Sequence, residues 1–155
     1  MATRSTIALE YADGTVHQIY CHWDGYLENN GAILQGHYTD PFKVRELMDL
    51  GDVSSLGPEL GEKHDFDIAA KYGTPEYQAE ADARRNICTF YGRDRGETGT
   101  NARKFKDYAD YRNRAQFEEY NYILRTDGNW YVEFYGEFDG LLKEAFAFHA
   151  LEADE

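Results

Sequence analysis

Three pieces of sequence decide the fold: Thr6-Ile7-Ala8-Leu9-Glu10-Tyr11, then Asp13-Gly14, then Thr15-Val16-His17-Gln18-Ile19-Tyr20-Cys21. Two runs rich in β-branched and aromatic residues flank an Asp-Gly pair, whose glycine supplies the positive φ of a tight hairpin turn. A two-residue turn sets Tyr11 opposite Val16 and Ile7 opposite Tyr20 on one surface, with Glu10 opposite His17 on the other. The pattern recurs where Tyr120-Asn121-Tyr122-Ile123-Leu124-Arg125 meets Trp130-Tyr131-Val132-Glu133-Phe134-Tyr135 across Asp127-Gly128. There it sets Ile123 beside Val132 and Arg125 beside Trp130, within reach of a cation–π contact. Ile87-Cys88-Thr89-Phe90-Tyr91 reads as a fifth strand.

Helix punctuation surrounds these strands. Asp40 caps a segment that has Pro41 at its first position and Gly51 as its stop, and Val44, Leu47 and Met48 give it one apolar stripe. Thr74-Pro75 opens a second helix that runs to about Arg85, and Asp107 opens a third that runs to about Phe117. The last begins near Asp139-Gly140 and carries Leu141, Leu142, Ala145 and Phe146. Its tail, residues 152–155, puts acids at the negative end of the helix dipole and is expected to fray. Residues 57–72 are expected to be the least ordered. Strand pairs among short helices, with no βαβ period, predict an α+β fold. The expectation is a mainly antiparallel sheet of two hairpins plus an extra strand, with short helices covering one face. No linker rich in Pro, Gly or Ser interrupts residues 1–155, so one globular domain is expected.

Composition narrows the class. The 155 residues are 42% hydrophobic and 15% aromatic, with 13 Tyr, 9 Phe and 2 Trp, too aromatic for a disordered chain. A domain of this size buries roughly 68–70% of its unfolded surface, so neither metal nor disulfide is needed for folding. Cys21 and Cys88 are too few for a disulfide scaffold, and no apolar run approaches a membrane span. Without a signal-peptide core, the expected location is the cytoplasm. Net charge is -13, from 29 acidic and 16 basic residues. Residues 1–56 contribute -5 and 117–155 contribute -8, while 57–116 are balanced. Within that middle part, residues 84–114 hold nine bases against four acids. This balance opposes direct non-specific nucleic-acid binding, which requires phosphate neutralisation, and suits a partner with a basic surface.

Two polar clusters carry candidate chemistry. Cys21-His22-Trp23-Asp24-Gly25-Tyr26, with His37-Tyr38 further on, forms a loop projecting from the first hairpin. His22 and Asp24 are candidates for an acid–base pair, and Trp23 and Tyr26 for ligand contact. The competing reading makes Trp23 the anchor of the loop and His22 a backbone-bonded side chain. HExxH and CxxC are both missing, so no metal is assigned. The second cluster is Tyr91-Gly92-Arg93-Asp94-Arg95-Gly96-Glu97-Thr98-Gly99-Thr100-Asn101. Its glycines allow inward-turned amides, Arg93 and Arg95 can grip an anion, and Thr98 and Thr100 can complete a phosphate or carboxylate cradle. It lacks the spacing of a Walker motif and that of GxGxxG, and so identifies no cofactor. The competing reading is a solvated loop whose arginines pair with acids of the chain.

Ser5-Thr6-Ile7-Ala8-Leu9-Glu10, the run from Ile19 to Leu27, Asn30-Gly31 with His37-Tyr38, and Tyr91-Gly92-Arg93-Asp94-Arg95-Gly96-Glu97 together resemble a group of small proteins encoded by bacteriophages and prophages. The resemblance brings no catalytic residue. It implies a setting inside a bacterial host, where small acidic phage proteins bind host factors, defence components among them. Two functions follow as expectations. One is a non-catalytic acidic protein that binds and inhibits a host factor, in its sharpest form by imitating nucleic acid. The other is a nucleotide- or phosphorylated-ligand-binding protein, enzymatic or not, that uses residues 91–101 and the His22/Asp24 loop. The charge of -13, concentrated at -5 and -8 in the outer segments, motivates the first. Aromatic residues on the sheet suit a homodimer as well as a core.

Overall fold

Both Asp-Gly pairs close hairpins, and both hairpins lie in one sheet. The computed structural model describes residues 2–64, 73–84 and 86–153. Strands β1 (Ser5–Glu10) and β2 (Val16–Cys21) form the first hairpin. β6 (Tyr120–Leu124) and β7 (Trp130–Phe134) form the second. Each turn is one residue longer than the two-residue form. Tyr11 N donates to Thr15 O at 2.8 Å, and Arg125 N to Asn129 O at 3.1 Å, so three residues span each loop. Gly14 and Gly128 take φ of +93° and +84°. The aspartates brace the loops as Asx turns, Asp13 Oδ1 accepting from Thr15 N and Asp127 Oδ1 from Asn129 N, both at 2.9 Å.

The extra residue slips both registers. Ile7 faces Ile19 instead of Tyr20, Glu10 faces Val16, and Tyr122 instead of Ile123 faces Val132. Because side chains alternate, the slip moves Tyr20 off the face that carries Ile7. Arg125 sits over the Tyr108 ring at 3.6 Å instead of meeting Trp130, and pairs with Glu10 at 3.2 Å.

Among the described residues the sheet is mixed and has eight strands, in the order β4 (Thr89–Phe90), β3 (Val53–Ser55), β2, β1, β6, β7, β8 (Phe138–Leu141), with β5 (Arg103–Phe105) also paired to β2. Most pairs are antiparallel. The hairpins, however, join through a parallel β1–β6 pairing, Ser5 opposite Tyr120 through Leu9 opposite Leu124. Three strands are very short: β3 (Val53–Ser55), β4 (Thr89–Phe90) and β5 (Arg103–Phe105). The expected fifth strand is thus reduced to Thr89–Phe90. β8 (Phe138–Leu141) occupies the expected start of the last helix and pairs with β7.

Helices lie on both faces, which corrects the single-face expectation. On the first, α1 (Ala32–His37), α2 (Pro41–Leu50) and α6 (Leu142–Ala153) flank the sheet. Leu34, Val44, Leu47, Met48, Leu142 and Ala145 join Ile7, Leu9, Ile19, Tyr122, Leu124, Val132 and Phe134 in the main core. Burying such a side chain is worth about 1.5–3 kcal/mol. The expected cap forms, Asp40 Oδ1 accepting from Phe42 N at 2.9 Å. On the second face, Tyr111 of α5 (Tyr108–Arg114) packs on Ala8, Val16, Phe105 and Ile123. Among the described residues the remaining helical segments are the π-helical turn Leu27–Gly31, α3 (Pro75–Arg84) and α4 (Tyr91–Arg95). Of the stretch expected to be least ordered, 65–72 lies outside the described residues, as do 154 and 155 of the acidic tail; Glu152 and Ala153 belong to α6. Cys21 and Cys88 are buried free thiols, and burial pushes Cys21 up to about 12.

Candidate interaction surface

β1 and β6 begin, and β2 and β7 finish, at the same end of the sheet. The chain leaving or entering there carries Trp23, Tyr26 and Glu28 after β2, Glu118 and Glu119 before β6, and Tyr135 and Glu137 after β7. Among the described residues, Trp23, Tyr26 and Tyr135 are three of the five exposed large hydrophobic side chains.

The loop after β2 is held rigidly. His22 and Trp23 N–H groups donate to Val53 and Ser54 carbonyls of β3. Gly25 N donates to Thr3 O at 2.8 Å, and Gly25 O accepts from the buried Tyr122 hydroxyl at 2.6 Å. A Cβ at Gly25 would lie 2.6 Å from that of Ser5, so only glycine fits. Buried Asn30 donates to Ser5 Oγ and Cys21 Sγ. The expected His22–Asp24 pairing is not among the contacts. His22 Nδ1 is bonded to the Tyr20 hydroxyl at 2.7 Å, and its ring meets Trp23 edge-on at 4.7 Å. Asp24 is exposed at φ +57°, its carbonyl accepting from Asn30 N and Asn29 Nδ2. Trp23 is itself 44% exposed and does not anchor the loop by burial.

On the opposite side of this end, Tyr135 and Gly136 both take positive φ, +54° and +67°, as the centre of a type I′ turn into β8 requires. For a bulky side chain that conformation is strained. It holds the Tyr135 ring outward, 59% exposed, against Tyr120 at 5.6 Å, with its hydroxyl donating to Glu119 Oε2 at 3.3 Å. Tyr120 stacks at a tilt on Phe134 at 5.2 Å. Burial, then the negative field of Tyr135, Glu28, Glu119 and Glu137, pushes the Tyr120 phenol above its ordinary value. Burial and Glu119 do the same to Tyr135. Glu119 thus meets Tyr135 directly, while Glu137 and Glu28, the latter held by His149 Nε2, add to the negative field around Tyr120.

Residues 91–101 are built differently from a cradle. Tyr91–Arg95 is a helix ended by Gly96 in the left-handed region. All five Arg93 N–H groups are taken up by the protein: Nε by Asp94 Oδ1 at 3.0 Å, one terminal nitrogen by Leu60 and Gly61 carbonyls, the other by Cys88 O and Asp94 Oδ2. The guanidinium also lies over the Phe90 ring at 4.7 Å. None of its donors is left for an anion. Asp94 is buried and accepts from Phe90 N at 2.7 Å and His64 N at 3.0 Å. Burial raises its carboxyl, but Arg93 and these two amides outweigh burial and hold it below the usual range. Arg95 lies 3.9 Å from Glu97, and Thr98 is exposed. Thr100 contributes its carbonyl to Asp52 N at 2.8 Å, its hydroxyl filling the space where Gly92 lacks a side chain.

The two clusters lie on opposite edges of β3, which pairs with β2 on one side and β4 on the other. Asp52 ties them together and has no signal of its own in the sequence. Its carboxylate accepts from Tyr20 N at 2.9 Å and from Arg103 at 2.6 and 3.1 Å, while its carbonyl accepts from Tyr91 N. The basic stretch is largely matched by acids from across the chain: Arg103 with Asp52, Arg112 with Asp139 at 2.7 Å and Arg114 with Asp110 at 2.5 Å. Among the described residues no three His, Cys, Asp or Glu side chains gather at metal-binding distance, and no helix is long and apolar enough to cross a membrane. Comparison with protein-family models, curated proteins and solved structures returned no match.

Proposed function

We propose that this chain is a non-catalytic binding protein that receives a basic protein surface on the acidic, tyrosine-bearing end of its sheet. The observation that carries this reading is Tyr135: a strained, outward-facing aromatic ring with Glu119 on its hydroxyl and Glu28, Glu119 and Glu137 around its neighbour Tyr120. A lysine or arginine laid across such rings gains a cation–π contact and a carboxylate partner together, and Trp23 and Tyr26 add exposed aromatic area on the other side of the same sheet end. The charge excess of -13 speeds encounter with a basic partner.

The resemblance to phage-encoded proteins supports a partner in a bacterial host, with inhibition of a defence component as the biological use. The nucleic-acid-mimic form has less support. Mimicry calls for an evenly spaced array of unpaired anions, whereas Glu10, Asp52, Asp110 and Asp139 are each paired with an arginine. The test is capture from bacterial lysate by immobilised wild-type protein and by a Glu119→Gln, Glu137→Gln variant. The reading expects a basic protein that is retained at low salt, eluted by high salt and lost in the variant. Capture that ignores salt and the substitutions, or no capture, refutes it.

A further inference from the structure

The one-residue slip of the first hairpin sets Gln18 and Tyr20 on the second face of the sheet. There, Thr6, Gln18, Tyr20, Arg103 and Glu118 line a polar cavity of about 70 Å³, room for several waters. Gln18, Arg103 and Gln116 also line an adjacent groove of about 220 Å³ that reaches Lys104, Phe105 and Arg114. Gln18 is 2% exposed, and its Nε2 donates to Gln116 O at 3.0 Å. Its amide oxygen accepts nothing from the described residues. Because every fully buried side-chain oxygen or nitrogen among them has a partner, this oxygen must open onto the cavity. An acceptor held so deep without a donor calls for one from outside.

The groove is polarised. At its inner end Gln18 Oε1 and the Glu118 carboxylate are acceptors. At its outer end stand two guanidinium groups, each oriented by a carboxylate and each with donors to spare. Arg103 uses two of its five N–H groups on Asp52, and Arg114 uses two on Asp110. The lining side chains thus set two guanidinium groups, each sharing its charge with an aspartate, against the single carboxylate of Glu118, while Lys104 projects from the other face of β5 beside His17. Charges farther off than about 8 Å are screened at physiological salt, so the groups lining the groove, Glu118 among them, and not the total of -13 decide what enters.

We infer that this groove binds a small polyhydroxylated anion, its phosphate or carboxylate head on Arg103 and Arg114 and its hydroxyls donating to Gln18 and Glu118. The anion-binding role expected of residues 91–101 thereby moves to β5 and α5. The site touches the proposed interaction surface only at Glu118 and does not depend on it. The experiment is a thermal-shift and calorimetric titration of the full chain with ribose 5-phosphate, gluconate, inorganic phosphate and ribose. Ribose 5-phosphate or gluconate is expected to bind at least ten-fold more tightly than inorganic phosphate or ribose, and which of the two binds identifies the head group. Arg114→Ala, at an exposed position, is expected to weaken that binding ten-fold with circular dichroism unchanged, and Glu118→Gln to weaken it less. The inference is overturned if neither compound shifts melting, if inorganic phosphate binds equally well (an adventitious anion only), or if both variants bind like wild type. Should Arg114→Ala misfold, Arg114→Lys keeps the charge, loses the fork and decides the question by the same loss of affinity.

Discussion

Arg93 and Arg103 belong to the same basic stretch and lie on opposite sides of β3, yet they face opposite ways in chemical terms. Around Arg93 the polar groups close on one another: five donors meet five acceptors, Asp94 accepts two further amides, and an aromatic ring covers the guanidinium. Around Arg103 they stay partly open, with donors left over, an unpaired amide oxygen nearby and a cavity between. Residue type alone does not separate a structural arginine from one free to bind. The number of donors the protein itself consumes does.

Stability measurements should separate the two most widely. Arg93→Ala leaves Asp94 charged and buried, and breaking a buried pair from one side costs about 3–5 kcal/mol. Arg103→Ala removes a half-exposed guanidinium and leaves the buried Asp52 with the Tyr20 amide, a smaller loss of about 1–2 kcal/mol. Urea titrations that give equal losses would erase the distinction. Acid offers a second cut. Asp94 is held below its ordinary value although burial opposes it, and so is Glu10, where burial is outweighed by Arg125 and Thr126. A carboxylate depressed in the folded state contributes stability above its unfolded pKa and loses it as pH falls through the folded one. The carboxylate share of stability should therefore hold from neutral pH to about pH 4.5 and decline steeply below it, and Asp94→Asn should flatten part of that steep decline. A wild-type profile that stays level down to pH 2 would mean that neither carboxylate is held as described.

How much of this was readable beforehand follows the range of the interactions involved. The hairpins, the Asp40-Pro41 cap and the α+β class are local, and local residues announced them. The registers failed by one because Asp-Gly serves a two-residue turn and a three-residue turn with an Asx brace equally well. The parallel β1–β6 pairing and the crossing of α5 to the second face depend on partners about a hundred residues apart, for which no short-range signal exists. Trp23 and Tyr26 stood out in their loop and do lie at the surface. Gln18, Asp52 and Tyr135 did not stand out, since their meaning comes from the slip, from a strand gap and from a strained turn. Arg93 stood out for the wrong reason: its neighbouring glycines suggested an open cradle, and the carbonyls that fill its fork come from residues 60, 61 and 88.

On the open side, Tyr135→Gly tests whether strain is maintained for contact. A non-glycine residue in the left-handed region costs roughly 1–2 kcal/mol, and the exposed ring returns little of that. The variant should melt at the same temperature or slightly higher and lose the captured partner. A clear destabilisation would mean that the ring serves the fold, and would move this end of the sheet into the closed class with Arg93.

The smallest expected effect concerns Lys104, which makes no ion pair with the described residues and stands on the face of β5 opposite the groove. Burial is the main reason His17 titrates below its ordinary value, with the Lys104 ammonium second, partly offset by Asp49 and Asp13. Lys104 and His17 are cross-strand neighbours in the β2–β5 pairing. Lys104→Met should raise the His17 pKa, read by proton NMR, by much less than unfolding the chain would, because burial remains. His17 favours the neutral form in the folded state, so its share of stability is complete above about pH 6.5 and fades as the solution is acidified. In the variant that fading should begin at the same pH and be shallower. If the His17 titration is unmoved, the Lys104 ammonium already has a counter-charge, and burial alone accounts for the lowered His17 value.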